Sequence, residues 1–214
     1  RTTAGGAKCW GYNSLGQLGN GTTTSRLTPV DVTGLTSGVA SLSAGYSHTC
    51  AVTTGGAGKC WGGGGHGELG DGTSGLDADK TTPVDVSGLG SGVAAVSAGG
   101  YHTCALTTGG GIKCWGLNNY GQLGDWTTTR RVTPVDSQGV ESGMAAVTAG
   151  YYHTCALFTS GRARCWGNNS SGRLGDGTNT DRTTPVDVIG LTSGTAAVSA
   201  GDSHSCAVLA AGGV

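Results

Sequence analysis

Eight cysteines and five histidines are the residues of this 214-residue chain best able to do chemistry, and most of them fall on one recurring line. In "HTCALTTGGGIKCWG" (102–116), Cys104 and Cys114 flank a Thr-Gly stretch, with a histidine before the first and a tryptophan after the second. The line returns as "HTCAVTTGGAGKCWG" (48–62), with Cys50 and Cys60, and as "HTCALFTSGRARCWG" (153–167), with Cys155 and Cys165. Metal knuckles want two to four residues between cysteines, and here nine intervene. A redox C-x-x-C is absent. Folded as a hairpin about its glycines, each segment sets its cysteines opposite one another, at a Cα separation of about 4.5 Å that a disulfide accepts. The spacing favours three staples over buried free thiols or a metal. Staples imply an oxidising compartment, hence a secreted or cell-surface protein. Cys9 and Cys206 remain, in "RTTAGGAKC" (1–9) and "CAVLAAGGV" (206–214), the back half and the front half of such hairpins. They are expected to pair within the chain, to pair with another chain, or to stand free if the array is an excerpt of a longer one.

His48, His102, His153 and His204 each lie two residues before a cysteine. A ring of four around an axis could hold a metal, but the favoured expectation is a backbone hydrogen bond between neighbouring units, with no metal and no cofactor. His66 sits alone in a glycine loop and is expected to face solvent. Trp10, Trp61, Trp115 and Trp166 recur with the period and read as core. Trp126 replaces the glycine of a "DGT" turn, and Tyr46, Tyr101, Tyr151 and Tyr152 fill the variable positions before the histidines, which makes these five the candidate contacts for a protein or glycan partner. Asp71, Asp125 and Asp176 read as Asx-turn residues, and Asp77 with Asp79 makes only a weak calcium motif. No glycine-flanked serine elbow or phosphate loop is present, so no enzyme is expected. Asn20, Asn168 and Asn169 fit the N-x-Ser/Thr acceptor pattern.

The elements that must position these residues follow from the repeat. The cysteine of Cys-Trp-Gly recurs at Cys9, Cys60, Cys114 and Cys165, and each of the four prolines (Pro29, Pro83, Pro134, Pro185) precedes a repeat cysteine by 21 residues. Length variation lies between tryptophan and proline, where "SGLDADK" (74–80) lengthens the second unit. Within a unit, "VAAVSAG" (93–99), "HTCAL" (102–106), "GGIKCWG" (110–116) and the Pro-led "TPVDV" (82–86, an expected edge) are short strand signals. "GQLGNGT" (16–22), "GELGDGT" (67–73), "GQLGDWT" (121–127) and "GRLGDGT" (172–178) are turns around a buried leucine. No helical period occurs, and 44 glycines beside five tryptophans argue for many tight turns in a folded chain. About four strands per unit is a β-propeller blade pattern. The expected fold is all-β, one repeat domain over 1–214. With 12% charged residues and a net charge of −1, nothing provides a nucleic-acid surface, and no apolar run reaches a membrane span. No leader is visible at Arg1, so an exported form would be the mature one.

Together, "SAGxxHTCAL", the Cys-Trp-Gly, the "GQLGDGT" turn and "TPVDV" resemble the RCC1 (regulator of chromosome condensation) repeat family, four times in register. The resemblance implies a propeller, commonly seven-bladed, although this chain supplies four repeats. Some members act as nucleotide-exchange factors for small GTPases inside cells, where paired cysteines would be out of place. The expected function is therefore a non-enzymatic extracellular binding or scaffold module. The alternative is a structural subunit forming a homo-oligomer or filament through its terminal half-hairpins.

Overall fold

The computed structural model describes residues 5–210, all of them in strands, turns and loops. The outer parts of the two half-hairpin readings, 1–4 and 211–214, lie outside the described residues. Sixteen strands follow in order: β1 Lys8–Gly11, β2 Arg26–Asp31, β3 Val39–Ala44, β4 His48–Thr53, β5 Gly58–Gly62, β6 Lys80–Asp85, β7 Val93–Ala98 and β8 His102–Thr107. The second half repeats the pattern: β9 Ile112–Gly116, β10 Arg131–Asp136, β11 Met144–Ala149, β12 His153–Phe158, β13 Ala163–Gly167, β14 Arg182–Asp187, β15 Thr195–Ala200 and β16 Ser205–Leu209. Antiparallel neighbours build three four-stranded sheets, β3–β6, β7–β10 and β11–β14, flanked by the two-stranded sheets β1–β2 and β15–β16. This is the propeller-like array expected, with the proline strands β6, β10 and β14 on sheet edges where a missing N–H costs no ladder bond.

Register places the cysteines. Cys50 opposes Cys60, Cys104 opposes Cys114 and Cys155 opposes Cys165 across one hairpin each. Each pair is disulfide-bonded with Cα atoms 4.1 Å apart. A ten-residue loop closed in this way stabilises by about 3 kcal/mol in the chain-entropy account. Cys9 and Cys206 form no bond, either within this chain or to one another. They sit on β1 and β16, strands of separate two-stranded sheets at the two ends of the array, so of the three alternatives the intrachain seal is not made.

The core is built between units. Trp61, Trp115 and Trp166 are fully buried, each lying on the Leu-Gly turn of the preceding unit. A side chain at Gly70 would bring its Cβ within 2.7 Å of Trp115 Nε1, so glycine is required there. Trp61 Nε1 donates to Gln17 O at 3.0 Å and Trp115 Nε1 to Glu68 O at 2.8 Å. Trp10 departs from the expected core role: it is 62% exposed. In the other units a Leu-Gly turn of the preceding unit covers the ring, and among the described residues no such turn lies on Trp10.

Candidate functional site

The histidines tie units together through side chains rather than backbone. Nε2 of His48, His102 and His153 meets the hydroxyl of Thr103, Thr154 and Ser205 at 2.8, 2.9 and 2.9 Å. Each hydroxyl gives its own proton to a turn carbonyl: Thr103 to Glu68, Thr154 to Gln122 and Ser205 to Arg173. The hydroxyl must then accept from the imidazole, which fixes the neutral Nε2–H tautomer and leaves Nδ1 buried without a partner. Burial drives the three imidazoles down to about 4, about 3 and about 4, respectively. His204 is exposed. The four do not form a metal ring, because each buried one is spent on its own inter-unit bond. Among the described residues no group of three His, Cys, Asp or Glu side chains converges for a metal ion.

The tyrosines do come together. Ala44-Gly45, Ala98-Gly99, Ala149-Gly150 and Ala200-Gly201 line a shared opening at the ends of β3, β7, β11 and β15, with Tyr46 and Tyr151 at its mouth. Tyr46 lies 5.8 Å from Tyr101 and 5.5 Å from Tyr151, centroid to centroid. Tyr101 and Tyr151 meet edge-on at 5.3 Å, with Tyr151 Oη donating to Tyr101 Oη at 3.1 Å. Tyr152 packs on Tyr151 at 4.7 Å, and Tyr120 on Tyr152 at 5.1 Å. His66, expected to be solvated and alone, is half-buried and stands edge-on to Tyr101 at 5.1 Å. The insertion of the second unit brings it there, since Gly75 N donates to Gly65 O and Asp79 takes the Gly64 amide. Burial, then the Arg130 charge, lowers the His66 imidazole. The hydrogen bond to Tyr101 holds the Tyr151 hydroxyl well above the phenol range, while burial raises that of Tyr152. Tyr151 and Tyr152 therefore keep their phenol protons, and the rim offers aromatic faces with hydroxyl tips, suited to apolar and hydrogen-bonded contact.

Trp126 is 69% exposed and adopts φ of 66°, a left-handed backbone for which its counterparts Gly21, Gly72 and Gly177 use glycine. Its amide donates to Thr183 O of the next unit, as the Gly21 amide does to Thr81 O, so the turn's hydrogen bonding keeps the strained conformation. Trp126 is not among the rings packed on the tyrosine rim and projects from a separate loop. Asp71, Asp125 and Asp176 accept from the amides of Thr73, Thr127 and Thr178, which are Asx turns.

The sequence did not show which side chains pin the turns, and Asn169 reads there only as a glycosylation acceptor. Asn13, Asn118 and Asn169 are fully buried and each pins a whole turn; Asn118 Nδ2 donates to Thr127 O and Thr129 O at 3.0 and 3.1 Å, and its Oδ1 accepts from Leu123 N. Their signal was an asparagine five residues before each turn leucine, absent from the second unit, where Gly64 stands. Asn168 and Asn169 are buried, which removes both from the acceptor readings for glycosylation. Glu68 takes the place of Gln17 and Gln122, its Oε2 accepting from the His66 amide at 2.6 Å; burial pushes its carboxyl up to about 7.

Two models of the regulator of chromosome condensation (RCC1) repeat match the chain, one over 8–52, 60–106, 110–157 and 160–208, the other over 39–68, 93–122 and 144–173. Ultraviolet-B receptor UVR8 of Arabidopsis thaliana is 32% identical over 87% of this chain and 42% of its own length. The mitochondrial RCC1 domain-containing protein RUG3 of the same plant is 30% identical over 89% of this chain and 44% of its own. The human E3 ubiquitin-protein ligase HERC2 is 32% identical over 96% of this chain and 4% of its own. The chain thus spans less than half of each of these relatives. Among solved structures, human WBSCR16 superposes with a TM-score of 0.84 at 23% identity, covering 98% of this chain and 55% of that one. Prp20p of Saccharomyces cerevisiae, whose structure is described with its binding to Gsp1p and histones, gives 0.82 at 21% identity, over 97% and 53%. At these identities the structures speak for fold alone. Four family matches in register, spanning most of the chain, place this protein in the RCC1 repeat family.

Proposed function

We propose that this chain is a non-enzymatic, exported binding module that engages a protein through its tyrosine rim. The observation that carries the reading is the convergence of Tyr46, Tyr101, Tyr151 and Tyr152, from three different units, on one mouth of the array. Rings held against each other lose little freedom on binding, which is why such clusters act as interface anchors. The three disulfides support export, because staples of this kind persist in oxidising compartments. The test is affinity capture from the medium or envelope fraction of the source cells, with the unmodified chain and a Tyr46→Ser/Tyr151→Ser variant of equal melting temperature, beside a glycan array. Capture lost in the variant supports the reading; equal capture by both overturns it, and binding on the glycan array alone replaces protein by sugar.

A second reading, assembly between chains, is favoured by the unpaired Cys9 and Cys206 and by the exposed face of Trp10. Half-sheets β1–β2 and β15–β16 would complete one another, and the join would show as a covalent ladder in non-reducing electrophoresis.

A further inference from the structure

Three of the four turns after the Leu-Gly pair hold an acid against a base. Asp125 Oδ1 accepts from Asn118 Nδ2, Thr127 N and Thr127 Oγ1, while its Oδ2 accepts from Arg131 Nε at 2.7 Å. Asp176 does the same with Asn169, Thr178 and Arg182, whose Nε lies at 2.8 Å. In the second unit Asp71 faces Lys80 at 3.7 Å. The first unit keeps the base, Arg26, but places Asn20 where the acid stands. Asn20 Oδ1 makes the same three bonds, to Asn13 Nδ2, Thr22 N and Thr22 Oγ1. Its amide nitrogen therefore takes the place of the second carboxylate oxygen, donor against donor, and Arg26 Nε is buried with no acceptor. Turning the amide over does not help, since it would set Nδ2 against the Asn13 and Thr22 donors instead.

Asn20 is followed by Gly21, the one Asn-Gly pair in the chain. We infer that Asn20 is a self-processing deamidation site whose product, an aspartate at position 20, completes the ion pair with Arg26. In the reaction the deprotonated Gly21 amide nitrogen attacks Asn20 Cγ, a C–N bond forms, and the side-chain nitrogen leaves as ammonia. Water then adds to the resulting succinimide and opens it to an acid, so no oxidant or reductant is needed. Glycine offers no side chain to obstruct the attack. The Asx turn folds the Asn20 side chain back over this peptide through its bonds to Thr22. The Gly21 amide is held by Thr81 O at 2.9 Å, so attack waits for that contact to open and runs slower than in an unfolded chain. Opening to the α-linked acid gives the arrangement already present at Asp125 and Asp176, which the ion pair then holds closed.

The experiment incubates the intact, disulfide-bonded chain at mildly alkaline pH, maps peptides by mass, and separates aspartate from isoaspartate by fragmentation. Expected is an amide-to-acid mass gain at Asn20 ahead of every other asparagine, with aspartate retained in the folded fraction. No gain at Asn20, after an exposure several times that which converts the reduced, unfolded chain, overturns the inference. So does accumulation of isoaspartate in folded protein. Independently of the rate, Asn20→Asp should raise the melting temperature by about 2–4 °C, the shift that a part-buried pair of about 1 kcal/mol gives at this chain length. The rise should vanish in an Arg26→Gln background. A drop, or a rise that persists without Arg26, overturns the claim that the product completes this turn.

Discussion

Two buried ionisable residue types set opposite pH dependences. His48, His102 and His153 have folded values below their ordinary one, so the unfolded chain binds protons more readily as pH falls. Their contribution is present above about pH 6.5 and is lost as pH falls from there through about 4 for His48 and His153 and through about 3 for His102, at roughly 3 kcal/mol for each of the first two and more for His102. Glu68 has a folded value raised to about 7, so its folded form holds the proton longer, and stability falls as pH rises from the ordinary carboxyl range through 7. Glu68→Gln should therefore raise the melting temperature at pH 8 and leave it nearly unchanged at pH 4.5, because Gln17 and Gln122 already make the same turn bond as neutral amides. His102→Gln, which keeps an N–H to offer Thr154, should flatten the acid limb. Melting curves between pH 4 and 8 check both; parallel curves for variants and parent would reject the assignment.

At the level of elements, a strand is legible from its own residues, but a tryptophan's burial is not. Alternation and punctuating glycines show β4, β5 and their copies, and hairpin opposition places the cysteines, because both are local. Trp10 shares the Lys-Cys-Trp-Gly and Gly-Gln-Leu-Gly surroundings of Trp115, yet one is exposed and the other buried, since the covering turn comes from another unit. The tyrosine rim is non-local in the same sense: Tyr46 and Tyr151 are 105 positions apart and become neighbours through the curvature of the array, which the residues of one unit do not encode. His66 joins them through an insertion whose path no periodicity describes. Replacing Trp115 by alanine should cost about 3–5 kcal/mol, as for other buried aromatics, and Trp10→Ala well under half of that. Trp126→Gly should stabilise slightly, because glycine adopts φ of 66° without strain. Chemical denaturation of the three variants ranks them; equal losses would reject the inter-unit origin of the core.

For the whole molecule, the cysteines fall into two classes that one experiment separates. Six are buried in hairpin staples, where each bond closes a local loop and none joins distant units. Stability in such an array sums over units and their interfaces, so reduction should weaken each of the three stapled sheets by a similar amount rather than open the array at one point. Cys206 is exposed on β16, whereas Cys9 is half-buried on β1, and burial raises its thiol. The thiolate is the reactive form, so the half-buried Cys9 with its raised thiol is the slower of the two, and the exposed Cys206 is the more accessible. Alkylation of the native, unreduced chain should modify Cys206 rapidly, Cys9 more slowly and the other six not at all until reductant is added. If chains join through β1 and β16, both thiols become protected together as concentration rises, and reductant restores them together. Protection of Cys206 alone would mean that some other surface covers that end. Labelling of any hairpin cysteine without reductant would remove the staples, and with them the argument for an oxidising compartment.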